Sequence, residues 1–443
     1  MDRRDFIKKS VLITTGLSAA TCGTKEEEKI KIVLLGFDGA NWPTIDPLIE
    51  KGRLPFLKKL KEESSWAHFE TFKPAKSNVV WTSIASGKTM MKHGIIDFTY
   101  LKENGIKVPY TKSDRKEPML WQILDLYGKR SAVINWWCSF PPDKINGVIV
   151  SDHFRRIIRK RYKNTDEIAD FAKAVHPRSY FDQLKKVEMR KYHEVLKQTG
   201  LPNFPLLYNP ESPQANPYKL NVLKGFPTFA RMDAFVEKVS DYLYNSMNFD
   251  FFATYFRLPD VVQHFALSLF EKKNIEDLYL SIRNKTITKK RYNETIVKIS
   301  EFLEPVYQYM ERMIKNFILH KRDKNTYFFI MSDHGFSLFD GGYNHYGLPE
   351  KYKAPDGILL INGPKIKKGK IKKATVFDIA PTILSLYDLP IGKNMDGRVL
   401  SEVFQNHRKK RYKTYQLSKD GEMKRDTSYD EETLKDLKSI GYI

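Results

Sequence analysis

Three hydrophobic runs in this chain each lead into a carboxylate, and that pattern restricts the fold more than any other feature. They are Ile30-Lys-Ile-Val-Leu-Leu-Gly-Phe-Asp38, then Phe251-Phe-Ala-Thr-Tyr-Phe256 followed by Asp260, and Thr326-Tyr-Phe-Phe-Ile-Met331 followed by Ser332-Asp333-His334. Runs that are apolar almost throughout, with no alternation, belong to parallel strands covered by helices on both faces. In open α/β sheets, ligands bind at the carboxyl ends of such strands, where these acids stand. A turn-forming Asp-Gly accounts for Asp38 alone equally well. Three acidic strand ends, with imidazoles at His264 and His334, point instead to a metal-binding or catalytic edge. Asp260 and His264 are four apart, so a single helical turn puts both on one face.

Residues 73–87 read as a loop feeding a helix, with Ser77 at the N-cap, Val79, Val80 and Ile84 supplying apolar contacts, and Gly87 ending the run. A hydroxyl in that place meets backbone N–H groups and the positive end of the helix dipole, which together hold a phosphoryl group. Ser77 is therefore the candidate nucleophile. For an arbitrary serine before a helix, a plain cap is the competing reading; the three strand ends shift the balance toward chemistry.

The remainder of the 443 residues is organised around this edge. Lys and Arg outnumber Asp and Glu by 75 to 53, a formal charge of +22. That excess implies anionic partners, whether phosphorylated substrates, acidic lipid surfaces or nucleic acid. The densest basic runs, 365–373 and 408–413, read as solvated surface. Arg3-Arg4 and a largely apolar run at 11–20 open the chain. Ten helical residues rise about 15 Å, half of a bilayer core, so the run reads as a signal-peptide segment and not a membrane span. It resembles a twin-arginine export signal, and Cys22 stands close to a lipoprotein box. The expected location is periplasmic or otherwise extracytoplasmic, with Cys22 as a candidate lipid anchor. If Cys22 is lipidated or removed, Cys138 is the only other cysteine, and no intramolecular disulfide holds the mature fold.

Between 155 and 227 the composition turns to Lys, Arg, Tyr and Asn, interrupted by prolines at 177, 202, 205, 210, 213 and 217. This stretch reads as an inserted cap, helical at 165–174 and 179–198, with His176 and His193 on its surface. The expected fold is α/β: a mostly parallel central sheet flanked by helices, with an inserted helical cap. Its parts are an export signal and tether (1–29), a catalytic domain (30–154 and 228–443) and the cap (155–227). Ser151-Asp152-His153 closes a further short strand and offers ligands of its own.

Phe37-Asp38-Gly39, the stretch from Ser77 to Gly94, Pro259-Asp260-Val-Val-Gln-His264 and Ser332-Asp333-His334-Gly335, in this order, resemble the alkaline phosphatase superfamily. The nearest branch is the type I phosphodiesterase/nucleotide pyrophosphatase group with its bacterial exported relatives. Trp136-Trp-Cys-Ser-Phe-Pro-Pro142, Asp378-Ile-Ala-Pro-Thr-Ile-Leu384 and Asn394-Met-Asp-Gly-Arg398 extend the likeness, which covers about 30–153 and 230–405. The resemblance implies two divalent metals, usually zinc, one held by Asp38, Ser77, Asp333 and His334 and the other by Asp260 and His264. It further implies that Ser77 attacks phosphorus and that water then hydrolyses the phospho-enzyme. In that pattern Asp152-His153 is a structural strand end.

One departure stands out. Where the family carries His-X-Pro-X-Gly, a source of another ligand for the second metal, this chain has Lys353-Ala-Pro-Asp-Gly357. Three outcomes stay open: a weakened second site, His345 in place of the missing ligand, or Lys353 as a phosphate clamp. The expected activity is metal-dependent hydrolysis of phosphate esters, diesters ahead of monoesters, on an anionic phosphorylated substrate and without specific nucleic-acid binding. The alternatives are a phosphoryl transferase acting on envelope components and a degenerate, non-catalytic metal-binding protein. A sulfatase is disfavoured, because Ser77-Asn-Val-Val-Trp81 lacks the proline and arginine of that signature.

Overall fold

The computed structural model describes residues 29–155, 171–185, 187, 217–264, 272–321, 323–339, 342–345, 356–406, 411–417 and 430–439. The expected export signal with Cys22, His193 and most of the proline-rich stretch, and Lys353 lie outside these residues. Ten strands form the main sheet: β1 (Lys31–Phe37), β2 (Ser65–Glu70), β3 (Ser131–Ile134), β4 (Gly147–Val150), β5 (Val175–His176), β6 (Phe251–Phe256), β7 (Thr326–Met331), β8 (Gly357–Asn362), β9 (Gly369–Lys370) and β10 (Ala374–Thr375). Their order is β9-β2-β8-β7-β1-β6-β3-β4-β5, with β10 also on β2. All pairings are parallel except those of β8 with its two neighbours and of β5 with β4.

The three acid-ended runs become β1, β6 and β7, and they are adjacent: β1 lies between β7 and β6. Every residue of β6 and β7, and of β1 after Lys31, is buried, as strands covered on both faces require. The covering helices include α1 (Trp42–Glu50), α2 (Ser77–Ser86), α3 (Pro217–Ser246), α4 (Leu258–Gln263), α5 (Lys289–Lys321) and α6 (Ile379–Leu386). Helix α1 packs on α5 and α6 on α2. Among the described residues no helix is long and apolar enough to cross a membrane.

Two contacts set the distance between α2 and the sheet. A Cβ on Gly36 of β1 would stand 2.6 Å from the Trp81 ring, so only glycine lets Trp81 lie flat on that strand. Trp81 then meets Trp136 at 5.1 Å and Tyr255 at 5.0 Å, both edge to face; pairs of this kind add about 0.5–1.5 kcal/mol each beyond their buried area. The fold is thereby rigid where α2 begins. Within the stretch expected as a cap, Phe171–Ala174 is a short 3-10 turn and Val175–His176 is the edge strand of the main sheet, while Phe171, Phe181 and Leu184 are buried in the common core.

Candidate active site

Adjacency of the three strands carries their terminal acids to one point. Asp38 follows β1, Asp333 follows β7, and Asp260 comes from the first turn of α4, directly after β6. All three are completely buried, as is His334. His334 Nε2 lies 3.3 Å from both Asp38 Oδ1 and Asp333 Oδ2, and the Gly39 N–H donates to Asp333 Oδ1 at 3.3 Å. Beside this group, Asp260 Oδ1, His264 Nε2 and His345 Nε2 form a triangle with sides of 3.5, 3.3 and 3.6 Å. The His334 and His345 rings stack at 3.9 Å and join the two groups. All six residues expected at the site are thus brought together, and His345, one of the three options for completing the second group, stands in it.

Ser77 needs one correction. It is the first residue of α2, not the N-cap: Lys76 is the N-cap, with extended backbone, and its carbonyl accepts from the Val79 and Val80 N–H groups. A lysine side chain cannot accept the backbone donors at a helix start, and the Ser77 hydroxyl is directed elsewhere. It donates to Asp38 Oδ1 at 3.3 Å, so the hydroxyl sits at the positive end of the helix and against the acidic cluster. All ten residues of α2 are buried, which excludes water from that helix.

The surrounding chain holds these groups in place through residues that carried no separate signal in the sequence. The Tyr255 hydroxyl, on β6, donates a short hydrogen bond to Asp38 Oδ2. Gln263 donates to the Gly39 carbonyl at 2.7 Å and accepts from Asn41 at 3.1 Å, tying α4 to the turn after β1. That turn has to be glycine: Gly39 has φ +74°, and a Cβ there would stand 2.8 Å from the Asp260 Cα. From α3, Asp233 accepts the N–H groups of Arg257 (2.9 Å) and Leu258 (2.7 Å), capping α4 from outside its own sequence. Gln263 and Asp233 are polar residues inside apolar runs, the one cue available beforehand. Asp152-His153 is structural, as expected: Asp152 accepts from Ser139 and the Cys138 N–H, and His153 stacks on Phe140 at 4.2 Å.

The electrostatics fit a cation-binding centre. Burial raises the Asp38 carboxyl well above its ordinary range, and the charges of Asp333 and Asp260 raise it further, against the Tyr255 hydrogen bond. Asp333 is likewise raised by burial, with His334 opposing. Asp260 is held low although burial works against it, because His264, His345 and His334 surround it. Burial, then the neighbouring His334, pushes His345 well below the usual imidazole value, so it stays neutral, the form that ligates metals. Neither ring nitrogen of His334 nor Asp333 Oδ2 makes a hydrogen bond, although all three atoms are sealed from solvent. Buried polar atoms left so are costly, and a shared divalent cation would satisfy them. Among the described residues two candidate sets emerge, Asp38–Asp333–His334 and Asp260–His334–His345, each with its ligand atoms within 4.8 Å of one another. A mixed set of carboxylates and imidazoles suits zinc and related ions.

Residues 32–428 match the sequence pattern of the type I phosphodiesterase / nucleotide pyrophosphatase family. The chain belongs to that family. No curated protein matches it. Among solved structures, it shares its fold with a 2-O GAG sulfatase, at TM-score 0.51 and 12% identity over 88% of this chain and 76% of the other. It is also similar to a phosphonate monoester hydrolase from Silicibacter pomeroyi (TM-score 0.47, 16% identity, 85% and 76% covered). A third is murine ectonucleotide pyrophosphatase / phosphodiesterase 5 (TM-score 0.44, 10% identity, 82% and 96% covered). The family member is a hydrolase with an alkaline phosphatase-like fold, and members of the family use divalent metals.

Proposed function

We propose that this family member is a metal-dependent phosphodiesterase that works through a covalent Ser77 phospho-enzyme, with zinc as its ion and an anionic phosphorylated substrate met outside the cytoplasm. The observation that carries the reading is the Ser77 hydroxyl, 3.3 Å from Asp38 Oδ1 at the start of a buried helix. Asp38, Ser77, Asp333 and His334 would hold one ion, and Asp260, His264 and His345 the other. Bound ions supply Lewis acidity, which neutralises phosphate charge and favours the ionised hydroxyl.

The chain's own groups then have defined tasks. Ser77 Oγ forms a bond to phosphorus while the bond from phosphorus to the departing alcohol breaks; a water oxygen subsequently attacks the same phosphorus and returns the Ser77 hydroxyl. Backbone N–H groups in the first turn of α2 face the non-bridging oxygens, where charge builds. Tyr255 fixes Asp38, and Gln263 fixes α4 relative to β1. The triangle at His345 supports a catalytic reading over a degenerate binding protein, and the stretch from 155 to 227 is the proposed source of specificity.

The test is a comparison of the zinc-loaded protein with Ser77→Ala on aryl phosphodiesters, phosphomonoesters and sulfate esters. The diester is expected to turn over fastest, and the variant to lose about 10³-fold or more. A Ser77→Ala protein with the wild-type rate refutes the mechanism. A preference for sulfate esters replaces the proposed substrate class.

A further inference from the structure

The basic run 365–373 takes no part in the site, and the fold places its first part around the opposite end of the sheet. Strand β8 runs antiparallel to β7 and leaves the sheet at Asn362, after which Gly363 sits against Tyr327, near the amino end of β7. The catalytic acids lie at the carboxyl ends of β1 and β7, so the turn after β8 is on the far side from them. From that turn Lys365, Lys367 and Lys368 lie beyond the edge and Lys370 pairs with Trp66 near the amino end of β2, whereas Lys372 and Lys373 lead to β10 beside Phe69 and Glu70 at its carboxyl end and take no part in this face. All six are exposed. Ile366 and Ile371 between them are buried at 8% and 5% exposure, which pins the strip to the core.

The chain leading into the second basic run, 408–413, is bonded to this strip. Ile366 bridges Phe404, the Lys367 N–H donates to the Val403 carbonyl at 2.8 Å, and the Gln405 N–H donates to the Lys365 carbonyl at 3.0 Å. The second run starts three residues past Gln405. Where the structure describes it again, Arg411 and Lys413 are exposed, and the adjoining Tyr415 bonds Pro390 near Tyr387, whose hydroxyl reaches the Asp250 carbonyl just before β6. Acidic groups among the described residues near the strip include Glu63, whose carbonyl accepts from Asn362, Asp46, paired with Lys61 beside Trp66, Glu70, 3.7 Å from Lys373, and Glu402, joined through Arg398 to the Lys373 carbonyl.

We propose that this face docks onto an anionic phospholipid bilayer and leaves the catalytic edge pointing away from the surface. The residue 365–373 strip carries lysines and no arginine. Diffuse ammonium charges suit a fluid layer of headgroups, whereas planar guanidinium forks suit fixed phosphates. Binding of single-stranded nucleic acid needs open aromatic faces, but Trp66, the ring beside the strip, has the Lys61 and Lys370 ammoniums over it at 4.3 and 5.1 Å. The chain also enters β1 at this same edge, through Lys31, so whatever precedes β1 leads to the docking face.

The experiment sediments the full-length chain, carrying Cys22→Ala so that no acyl chain contributes, with phosphatidylcholine vesicles made with or without phosphatidylglycerol, at low and high salt. Binding is expected to need phosphatidylglycerol and to fall with salt. With a contribution of about 1 kcal/mol per lysine near the surface, the added changes Lys367→Gln, Lys368→Gln and Lys370→Gln are expected to weaken binding about a hundredfold, with melting temperature and turnover of a soluble aryl phosphodiester unchanged. Equal binding to neutral vesicles overturns the proposal, as does undiminished binding by the triple variant. Capture of a single-stranded oligonucleotide without vesicle binding overturns it too.

Discussion

Replacing Tyr255 by phenylalanine isolates the role of one hydrogen bond. Tyr255 is completely buried on β6, and its hydroxyl donates to Asp38 Oδ2, whose other oxygen faces Ser77 and His334. Asp38 is already disposed toward its neutral form by burial and by Asp333 and Asp260, and Tyr255 works against that tendency. A hydrogen bond to a charged group is worth about 1.5–3 kcal/mol. Loss of a partner that orients a metal ligand typically lowers affinity about 10–100-fold, or about 1.4–2.7 kcal/mol. The two magnitudes agree. Phenylalanine keeps the ring contacts to Trp81 at 5.0 Å and Trp137 at 6.1 Å, so folding is expected to hold. The assay is a zinc titration against a chromophoric chelator, followed by diester hydrolysis at saturating zinc. Tyr255→Phe should bind its tighter zinc ion 10–100-fold more weakly and recover most of its turnover when zinc is saturating. Unchanged zinc affinity would refute the idea that Tyr255 holds a metal-binding Asp38.

Three further outcomes are expected. Gly39→Ala adds a strained positive φ, costing about 1–2 kcal/mol, and drives a Cβ against the Asp260 backbone, while Gly52→Ala at φ +69° meets nothing within 4 Å; the first should lose zinc and activity and the second only melting temperature, and equal activity in both variants would contradict the close packing. His345→Ala should reduce bound zinc, counted by elemental analysis, from two ions to one, and an unchanged ratio would remove His345 from the second set. Burial pushes Asp233 up to about 6, against the Leu258 N–H and the Arg257 charge; the folded state thus holds that proton more tightly than the unfolded chain, and the stability it contributes below the unfolded value near 3.8 is lost as pH rises through about 6. Denaturant titrations of Asp233→Asn and wild type should therefore diverge in the variant's favour by about 2 kcal/mol between pH 4 and 7, and parallel curves would show that Asp233 titrates normally.

The acidic strand ends could be read from the sequence because a turn-forming acid accounts for one carboxylate after an apolar run but not for three. Their convergence needed the strand order β7-β1-β6, which three separate runs do not encode. Tyr255 could not be read: inside Phe-Phe-Ala-Thr-Tyr-Phe it continues the apolar pattern, and only the pairing of Tyr255 with Gly36 brings its hydroxyl beside Asp38. His345 could be named but not placed, since it is 81 residues from His264 in sequence. Ser77 was misplaced by one position because serine is a common N-cap, whereas here the helical bonds begin at the Lys76 carbonyl. Pro217, one of the prolines that interrupt the 155–227 stretch, opens helix α3, because proline is tolerated at a first helical position. Helix α5 carries Pro305 in its interior, a residue that usually signals an end, yet Leu303, Val306 and Met310 around it are buried; tertiary packing overrides the local signal.

The most direct test of the central claim is to look for the covalent intermediate itself. Zinc-loaded protein is mixed with an aryl phosphodiester, quenched in acid within the first turnovers, digested, and read by peptide mass spectrometry. The account predicts a peptide spanning Ser77 that carries the substituted phosphoryl group, in step with a burst of released phenol, and no such adduct in Ser77→Ala. A burst-free reaction with unmodified Ser77, at the same rate in both proteins, would contradict it.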